Sequence, residues 1–387
     1  MLQGTVDRVR FRGAALAGNA LGDPVERELI AYLPPSYATS ERRYPLVMVL
    51  PGFAATNSSL LNFKPWEPTL FERYEKLLAR GCGEAILVLP DCFTRLGGSQ
   101  YVDAPAQGSY QRYLADDVLA FVDARYRTIA SREARAIVGK SSGGFGALRM
   151  GFDRPERFAV IASHAGDCAF ELTLRGRFTE VLPVYEKHGG PAAFLRALAD
   201  RPPRGQSEFH ALEMLALAHA YADGELPVDP YSAELIPARW ERWLAADPVV
   251  LAEPKSAKTL SDARLVFLDA GRSDEYGLQF GARILAGRLR SAGAAVEHQE
   301  FDGGHMGTAY RYDVSLPKVI AALDADARSI VRSRAENPRA SLCSRAEDPR
   351  ASALAEDAPT AHTTEDAGAN ARGAHPHAST AGSRESP

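Results

Sequence analysis

Three apolar residues, Ala136 to Val138, lead directly into Gly139-Lys140-Ser141-Ser142-Gly143, and a helix-compatible stretch follows through Met150. A strand that passes through Gly-x-Ser-x-Gly into a helix must reverse within a very tight turn. The two glycines remove the side chains that would collide there and push Ser141 into strained backbone geometry. Such a turn leaves the Ser141 hydroxyl standing clear of the sheet. It also aims the N–H of Ser142, at the head of the helix, toward a nearby negative charge. The predicted unit is therefore strand, turn and helix with an exposed serine nucleophile.

Gly139-Lys140-Ser141 also resembles the end of a phosphate-binding loop. That loop requires a glycine five residues earlier, where this chain has Ala134. The preceding residues are strand-like and leave no room for a backbone nest, so a nucleotide site is excluded. A net charge of −4 over 387 residues gives no polyelectrolyte footprint, so nucleic acid is not an expected partner. Cys82, Cys92, Cys168 and Cys343 are scattered without Cys-x-x-Cys spacing and suit a reducing compartment. The first residues, Met1 to Arg8, carry no apolar signal core, and no run reaches membrane-spanning length. The expectation is a cytoplasmic protein with no membrane partner.

The chain divides into three zones. Residues 1 to about 168 alternate short strands (Phe11, Glu28 to Leu33, Leu46 to Leu50, Ala85 to Leu89, Ala136 to Val138, Val160 to Ser163) with helices over Glu67 to Arg80, Tyr113 to Arg125 and Gly143 to Phe152. Continuously apolar strands such as Leu46-Val47-Met48-Val49-Leu50 imply burial on both faces, the mark of a mostly parallel sheet flanked by helices. Residues of about 169 to 258 lose the strand signal and read as a helical insert broken by Pro202-Pro203, Pro227, Pro230 and Pro237. Strand and helix alternate again from Arg264 to about Ile330, which sets residues 1–330 as one catalytic α/β domain. Residues 331–387 contain no Phe, Tyr, Trp, Ile or Met, and Ser333 to Ser341 recurs nearly intact as Ser344 to Ser352. Such a segment buries too little surface to offset its ordering entropy, and is expected to be a disordered tail.

A serine hydroxyl is a weak nucleophile that needs a base, and the base needs a carboxylate to orient it. With a Gly-x-Ser-x-Gly turn, acid and then histidine follow the serine in sequence. After the strand Leu265 to Leu268 comes Asp269-Ala270-Gly271-Arg272-Ser273-Asp274, and a helix of about fifteen residues begins near there. Asp274 lies just past the carboxyl end of that strand and is the first choice for the acid. Asp269, still at the strand end, is the second choice and is expected to fix backbone. After Val296 to Phe301 comes Asp302-Gly303-Gly304-His305, which places His305 on a flexible turn able to reach the serine. His298 alternates within a strand, and His164 could line the pocket but precedes the acid. The second oxyanion donor is expected from the loop Pro51-Gly52-Phe53-Ala54: the N–H of Phe53, or alternatively that of Ala54. Neither metal-ligand spacing nor a dinucleotide-binding Gly-x-Gly-x-x-Gly is present, so no cofactor or metal is implied.

With these residues in place, the chain resembles the esterase D-like branch of the α/β hydrolases, which includes enterochelin esterases, S-formylglutathione hydrolases, feruloyl esterases and secreted mycolyl transferases. The carriers are Glu26 to Tyr37, Tyr44 to Phe53, Gly97-Gly98-Ser99-Gln100-Tyr101-Val102-Asp103, the elbow with Gly143-Gly144-Phe145-Gly146-Ala147-Leu148, and Gly303-Gly304-His305. The resemblance spans roughly residues 20 to 325. It implies an α/β-hydrolase fold, a triad of Ser141, Asp274 and His305, and oxyanion N–H groups from Phe53 and Ser142. Two positions depart from the pattern: Ser142 stands where methionine is common, and Pro51 stands where histidine or aspartate is common. Secreted transferases of the branch carry export signals, which argues against a mycolyl transferase here. The expected activity is hydrolysis of a small-molecule carboxylic ester through an acyl-enzyme on Ser141. Thioester hydrolysis or acyl transfer is the alternative on the same fold, and an inactive binding module the more remote one.

Overall fold

The structure, a computed structural model, describes residues 2–323 apart from 63 and 254–257. The segment 331–387 lies outside the described residues. Among the described residues there are ten strands: β1 (Thr5–Arg12), β2 (Glu26–Leu33), β3 (Leu46–Leu50), β4 (Ile86–Pro90), β5 (Asp103–Ala104), β6 (Gly108–Ser109), β7 (Arg135–Lys140), β8 (Val160–His164), β9 (Leu265–Gly271) and β10 (Val296–Phe301). Eight of them form one sheet in the order β1-β2-β4-β3-β7-β8-β9-β10, and β5 and β6 form a small hairpin. β1 and β2 pair antiparallel, as do β2 and β4, and every other pairing in the large sheet is parallel. This is the mostly parallel sheet expected from the continuous apolar runs, and it agrees with the α/β-hydrolase fold that the family resemblance implies.

Alternation along the strands sends side chains to two cores. Leu46, Met48 and Leu50 face a core shared with Tyr113, Leu114, Leu148 and Leu285. Val47 and Val49 face the opposite core, with Phe71, Tyr74, Leu316 and Ile320. The chain runs from β3 outward to β4 in one direction and from β7 through β10 in the other. The switch point therefore lies between β3 and β7. A crevice opens outside the carboxyl ends of the strands at such a point, which is where ligands bind in sheets of this type.

The first strand is longer than its one sequence signal, Phe11. Val9 and Phe11 pack on the core, while Arg8, Arg10 and Arg12 face outward on this edge strand. The helix expected over Glu67 to Arg80 is Leu70–Leu78, stopped at its start by a reciprocal capping box between Thr69 and Glu72. The insert is helical, with its main helices at Phe178–His188, Pro191–Ala197, Gly205–Ala222 and Pro237–Leu244. It has its own apolar cluster, in which Phe170, Phe178, Tyr221, Trp240 and Trp243 pack together with Phe145. Because Phe145 belongs to the helix Ser142–Asp153, the insert rests on the element that carries the serine turn.

Candidate active site

Ser141 has φ 56° and ψ −126°, a conformation that non-glycine residues adopt only where the surroundings enforce it. Two glycines permit this turn. A Cβ on Gly139 would lie 2.1 Å from the carbonyl oxygen of Gly143, and one on Gly143 would lie 2.2 Å from that of Leu50. The Ser141 N–H donates to the His164 carbonyl at 2.8 Å, which ties the turn to the end of β8. Strand β7, the turn and the helix Ser142–Asp153 follow one another as the motif predicts.

His305 Nε2 lies 3.1 Å from Ser141 Oγ, and His305 Nδ1 lies 2.9 Å from Asp274 Oδ2. His305 and Asp274 are both buried. Asp274 sits three residues past β9, and its other oxygen accepts the Tyr276 N–H at 3.0 Å. The Glu275 carboxylate accepts the backbone N–H of His305 at 2.7 Å. That contact requires glycine at 304, where a Cβ would lie 2.3 Å from Glu275 Oε1. The Tyr276 ring meets the imidazole edge-on at 4.8 Å between centroids. The three residues singled out in the sequence are thus brought together, and two neighbours of Asp274 help to hold the histidine.

Asp269 is not part of this group. Its buried carboxylate receives His164 Nδ1 at 2.7 Å and Arg311 Nε at 2.8 Å. His164 in turn reaches Ser315 Oγ at 2.8 Å, so it is enclosed rather than lining the pocket. The backbone role expected of Asp269 falls to its carbonyl, which accepts the Ala165 N–H at 2.7 Å, while the side chain clamps the segment after His305 through Arg311.

The loop after β3 runs beside the serine turn, and Gly52 lies where a Cβ would touch Ser141 Cβ at 3.4 Å. The Ala54 N–H is already bonded to the Gly97 carbonyl at 2.8 Å, which leaves Phe53 as the donor of choice in that loop. Among the described residues neither the Phe53 nor the Ser142 N–H has a hydrogen-bond partner. The Gly97-Gly98 pair gives room to the Phe53 ring, since a Cβ on Gly97 would lie 2.9 Å from it. Pro51 does not loosen the loop: its carbonyl accepts the buried Tyr101 hydroxyl at 2.6 Å.

A cavity of about 360 Å³ opens over Ser141, walled by the β3 loop, the His305 loop and insert residues Thr173, Leu174, Arg177, Phe209 and Glu213. Larger troughs of about 770 and 850 Å³ lie open on the surface. The second of these shares Thr173, Arg177 and Tyr276 with the serine cavity. Burial holds the Lys140 ammonium below the usual lysine range, against the opposing pull of Asp274 and Glu275. Burial, with Glu213 adding to it, pushes the Asp167 carboxyl up to about 7. Among the described residues no group of three histidine, cysteine or acidic side chains is placed to hold a metal ion, and no helix is long and apolar enough to cross a membrane.

A family model described as "Putative esterase" matches residues 20–319, well over half of the 387-residue chain. The chain belongs to this esterase family. An esterase of Mycobacterium tuberculosis strain H37Rv is 29% identical over 139 residues, a match that covers 35% of this chain and only 28% of that relative. Among solved structures, a ferulic acid esterase superposes with a TM-score of 0.54 at 20% identity, covering 83% of this chain and all of the other. An S-formylglutathione hydrolase from Agrobacterium tumefaciens gives 0.53 at 17% identity, covering 84% and 97%. At such identities these are likenesses of fold.

Within this member of the esterase family the sequence leaves several site neighbours unmarked. Gln100 donates to Ser142 Oγ at 3.1 Å, Ser142 Oγ lies 3.5 Å from Asp167 Oδ2, and Arg177 pairs with Glu213 at 2.5 Å. Gln100 and Tyr101 do sit inside a stretch that carries the family resemblance, and that is the one available signal. Asp167, Arg177 and Glu213 belong to no motif.

Proposed function

We propose that the protein is a serine hydrolase of carboxylic esters, with Ser141 as nucleophile, His305 as general base and Asp274 as the acid that orients it. One observation carries this reading: a single buried imidazole bridges Ser141 Oγ at 3.1 Å and Asp274 at 2.9 Å. Ser141 Oγ attacks the ester carbonyl carbon as its proton passes to His305 Nε2. The tetrahedral oxyanion is received by the N–H groups of Phe53 and Ser142, a type of contribution worth roughly 3–4 kcal/mol per donor elsewhere. Collapse breaks the bond to the alcohol oxygen, and His305 returns its proton to that alkoxide. Water, deprotonated by the same histidine, then attacks the acyl-enzyme and releases the acid and free Ser141. Every proton transfer falls to His305, so the chemistry requires no cofactor. The Asp274 carboxylate fixes the imidazole tautomer and stabilises the imidazolium as it forms.

The substrate in this reading is a small-molecule ester, and the working unit is residues 1–330 with the helical insert as a wall of the pocket. On its scattered cysteines, which suit a reducing compartment, we propose a cytoplasmic location. The test is Ser141→Ala together with a fluorophosphonate probe. The variant should lose about 10⁴- to 10⁶-fold in kcat on 4-nitrophenyl acetate, and the probe should label the wild type at Ser141 alone. Labelling at Ser142, or more than a few per cent residual turnover, overturns the assignment.

A further inference from the structure

Asp167 stands at the serine cavity in a costly setting. It follows β8 on a short loop, and residues on both sides of it, Ala165 (φ 44°) and Ala169 (φ 57°), adopt the left-handed conformation that alanine normally avoids. Gly166 packs so closely on the elbow helix that a Cβ would lie 2.2 Å from Ser163 Oγ and 2.8 Å from the Gly144 carbonyl carbon. The Asp247 carboxylate grips the far end of the loop through the N–H groups of Ala169 and Phe170, at 2.9 and 2.7 Å. Strain of this kind persists only where the surrounding structure over-determines it, and it concentrates at functional sites.

The loop presents a carboxyl group that lines the cavity yet is poorly satisfied. Its one hydrogen-bond partner among the described residues is Ser142 Oγ, at a long 3.5 Å, and that hydroxyl already receives Gln100 at 3.1 Å. Two cations lie near Asp167: Arg177 is committed to Glu213 at 2.5 Å, and Lys140, which lines the same cavity, makes no hydrogen bond to Asp167 among the described residues. A carboxyl group offers about four acceptor positions, and those of the half-buried Asp167 face the cavity. Open acceptor positions facing a cavity that also holds the nucleophile call for a donor brought by the ligand.

We propose that Asp167 selects the substrate of the esterase reaction by accepting a hydrogen bond from an amine or hydroxyl on the acyl group, close to the ester carbonyl. The inference rests on the esterase reading of Ser141. Proximity to the carbonyl follows from Ser142, whose N–H faces the oxyanion in that reading while its side chain touches Asp167. The acyl side follows because the leaving oxygen must face His305 Nε2, and Asp167 makes no hydrogen bond to His305.

The test compares 4-nitrophenyl butyrate with its 3-hydroxy and 3-amino counterparts on wild type, Asp167→Asn and Asp167→Ala. A hydrogen bond left unmade in an enclosed site is worth about 10- to 100-fold, so the wild type should favour one or both donor-bearing esters over butyrate by that factor in kcat/KM. Asp167→Ala should collapse the preference to within about twofold. Asp167→Asn, which loses the charge and keeps one acceptor oxygen, should lose the amine preference and keep part of the hydroxyl preference. The amine and hydroxyl arms thus identify the donor. Equal rates on all three esters in the wild type, a preference that survives in Asp167→Ala, or a preference seen only with amine- or hydroxyl-bearing alcohols would overturn the proposal. Its failure differs from failure of the esterase reading, in which butyrate itself is not hydrolysed and Ser141 does not react with a fluorophosphonate.

Discussion

Replacing Asp269 and Asp274 with asparagine, one at a time, tests whether Asp274, and not Asp269, is the carboxylate that orients the base. Asp269 is buried and accepts from His164 and from Arg311, whose own side chain is almost enclosed. Breaking a buried ion pair from one side costs about 3–5 kcal/mol, because the other charge stays behind without a partner. Asparagine keeps one acceptor oxygen, so a loss of about 3 kcal/mol is expected for Asp269→Asn. At about 2–4 °C per kcal/mol for a domain of this size class, the melting temperature should fall by roughly 6–12 °C. Turnover of the protein that remains folded should stay within about tenfold of wild type. Asp274→Asn is the converse case. The amide oxygen of that variant can still accept the Tyr276 N–H, so stability should change by no more than about 1 kcal/mol. Its amide nitrogen, however, would donate to His305 Nδ1 and drive the proton to Nε2, the nitrogen that must accept from Ser141. That inversion costs about 10³- to 10⁴-fold in kcat with little change in KM. Calorimetry and 4-nitrophenyl acetate kinetics on both variants make the comparison. A catalytic collapse in Asp269→Asn at unchanged melting temperature would refute the assignment.

Three further outcomes follow from the same contacts. Gly143→Ala sets a Cβ 2.2 Å from the Leu50 carbonyl oxygen and 2.5 Å from that of Pro51; it should cut kcat by about 100-fold or more, whereas Gly287→Ala, with nothing within 4 Å, should add roughly 0.5–1 kcal/mol by helix propensity, both read by kinetics and melting. Burial, Glu213 and Asp274 raise the Asp167 carboxyl from 3.8 to about 7 against Arg177 and the Ser142 hydrogen bond, so the folded state binds its proton more tightly than the unfolded chain and stability drains as pH climbs from about 4 to 7. The ceiling is about 4 kcal/mol at 1.4 kcal/mol per pH unit, and with cavity water screening the charge Asp167→Asn should gain roughly 1–2 kcal/mol over wild type at pH 8 and nothing at pH 4; equal melting shifts at both pH values would contradict this. Deleting residues 331–387, on composition alone, should move neither melting temperature nor kcat.

What is legible in the sequence follows from where the physics is local. β3 and β4 are buried on both faces, so their apolar runs are unbroken and easily read. β1 is an edge strand whose outward arginines hide its alternation. Ser141, Asp274 and His305 can be found because each follows a strand end, in a fixed chain order, on loops marked by glycine or aspartate. The sequence prefers Phe53 to Ala54 in the β3 loop, and the bond from the Ala54 N–H to Gly97 favours the same choice. Asp167 has no signal at all: its surroundings come from Ser142, Arg177 and Glu213, which meet only when the insert folds back over the sheet. The enclosure of His164 is hidden for the same reason, because Ser315 and Arg311, which complete it, arrive from the far end of the domain.

That enclosure has a consequence for how such molecules are searched. Ser315, His164 and Asp269 are linked by contacts of 2.8 and 2.7 Å, a spacing as good as that of Ser141, His305 and Asp274. By interatomic distance alone the two arrangements are not told apart. The two differ in reach: Ser315 is wholly enclosed, while Ser141 opens on a cavity. Arg311 also occupies the second oxygen of Asp269, where Asp274 has a backbone N–H. An inventory of hydrolytic centres drawn from coordinates needs a path for the reagent to travel as much as it needs the right atoms in line.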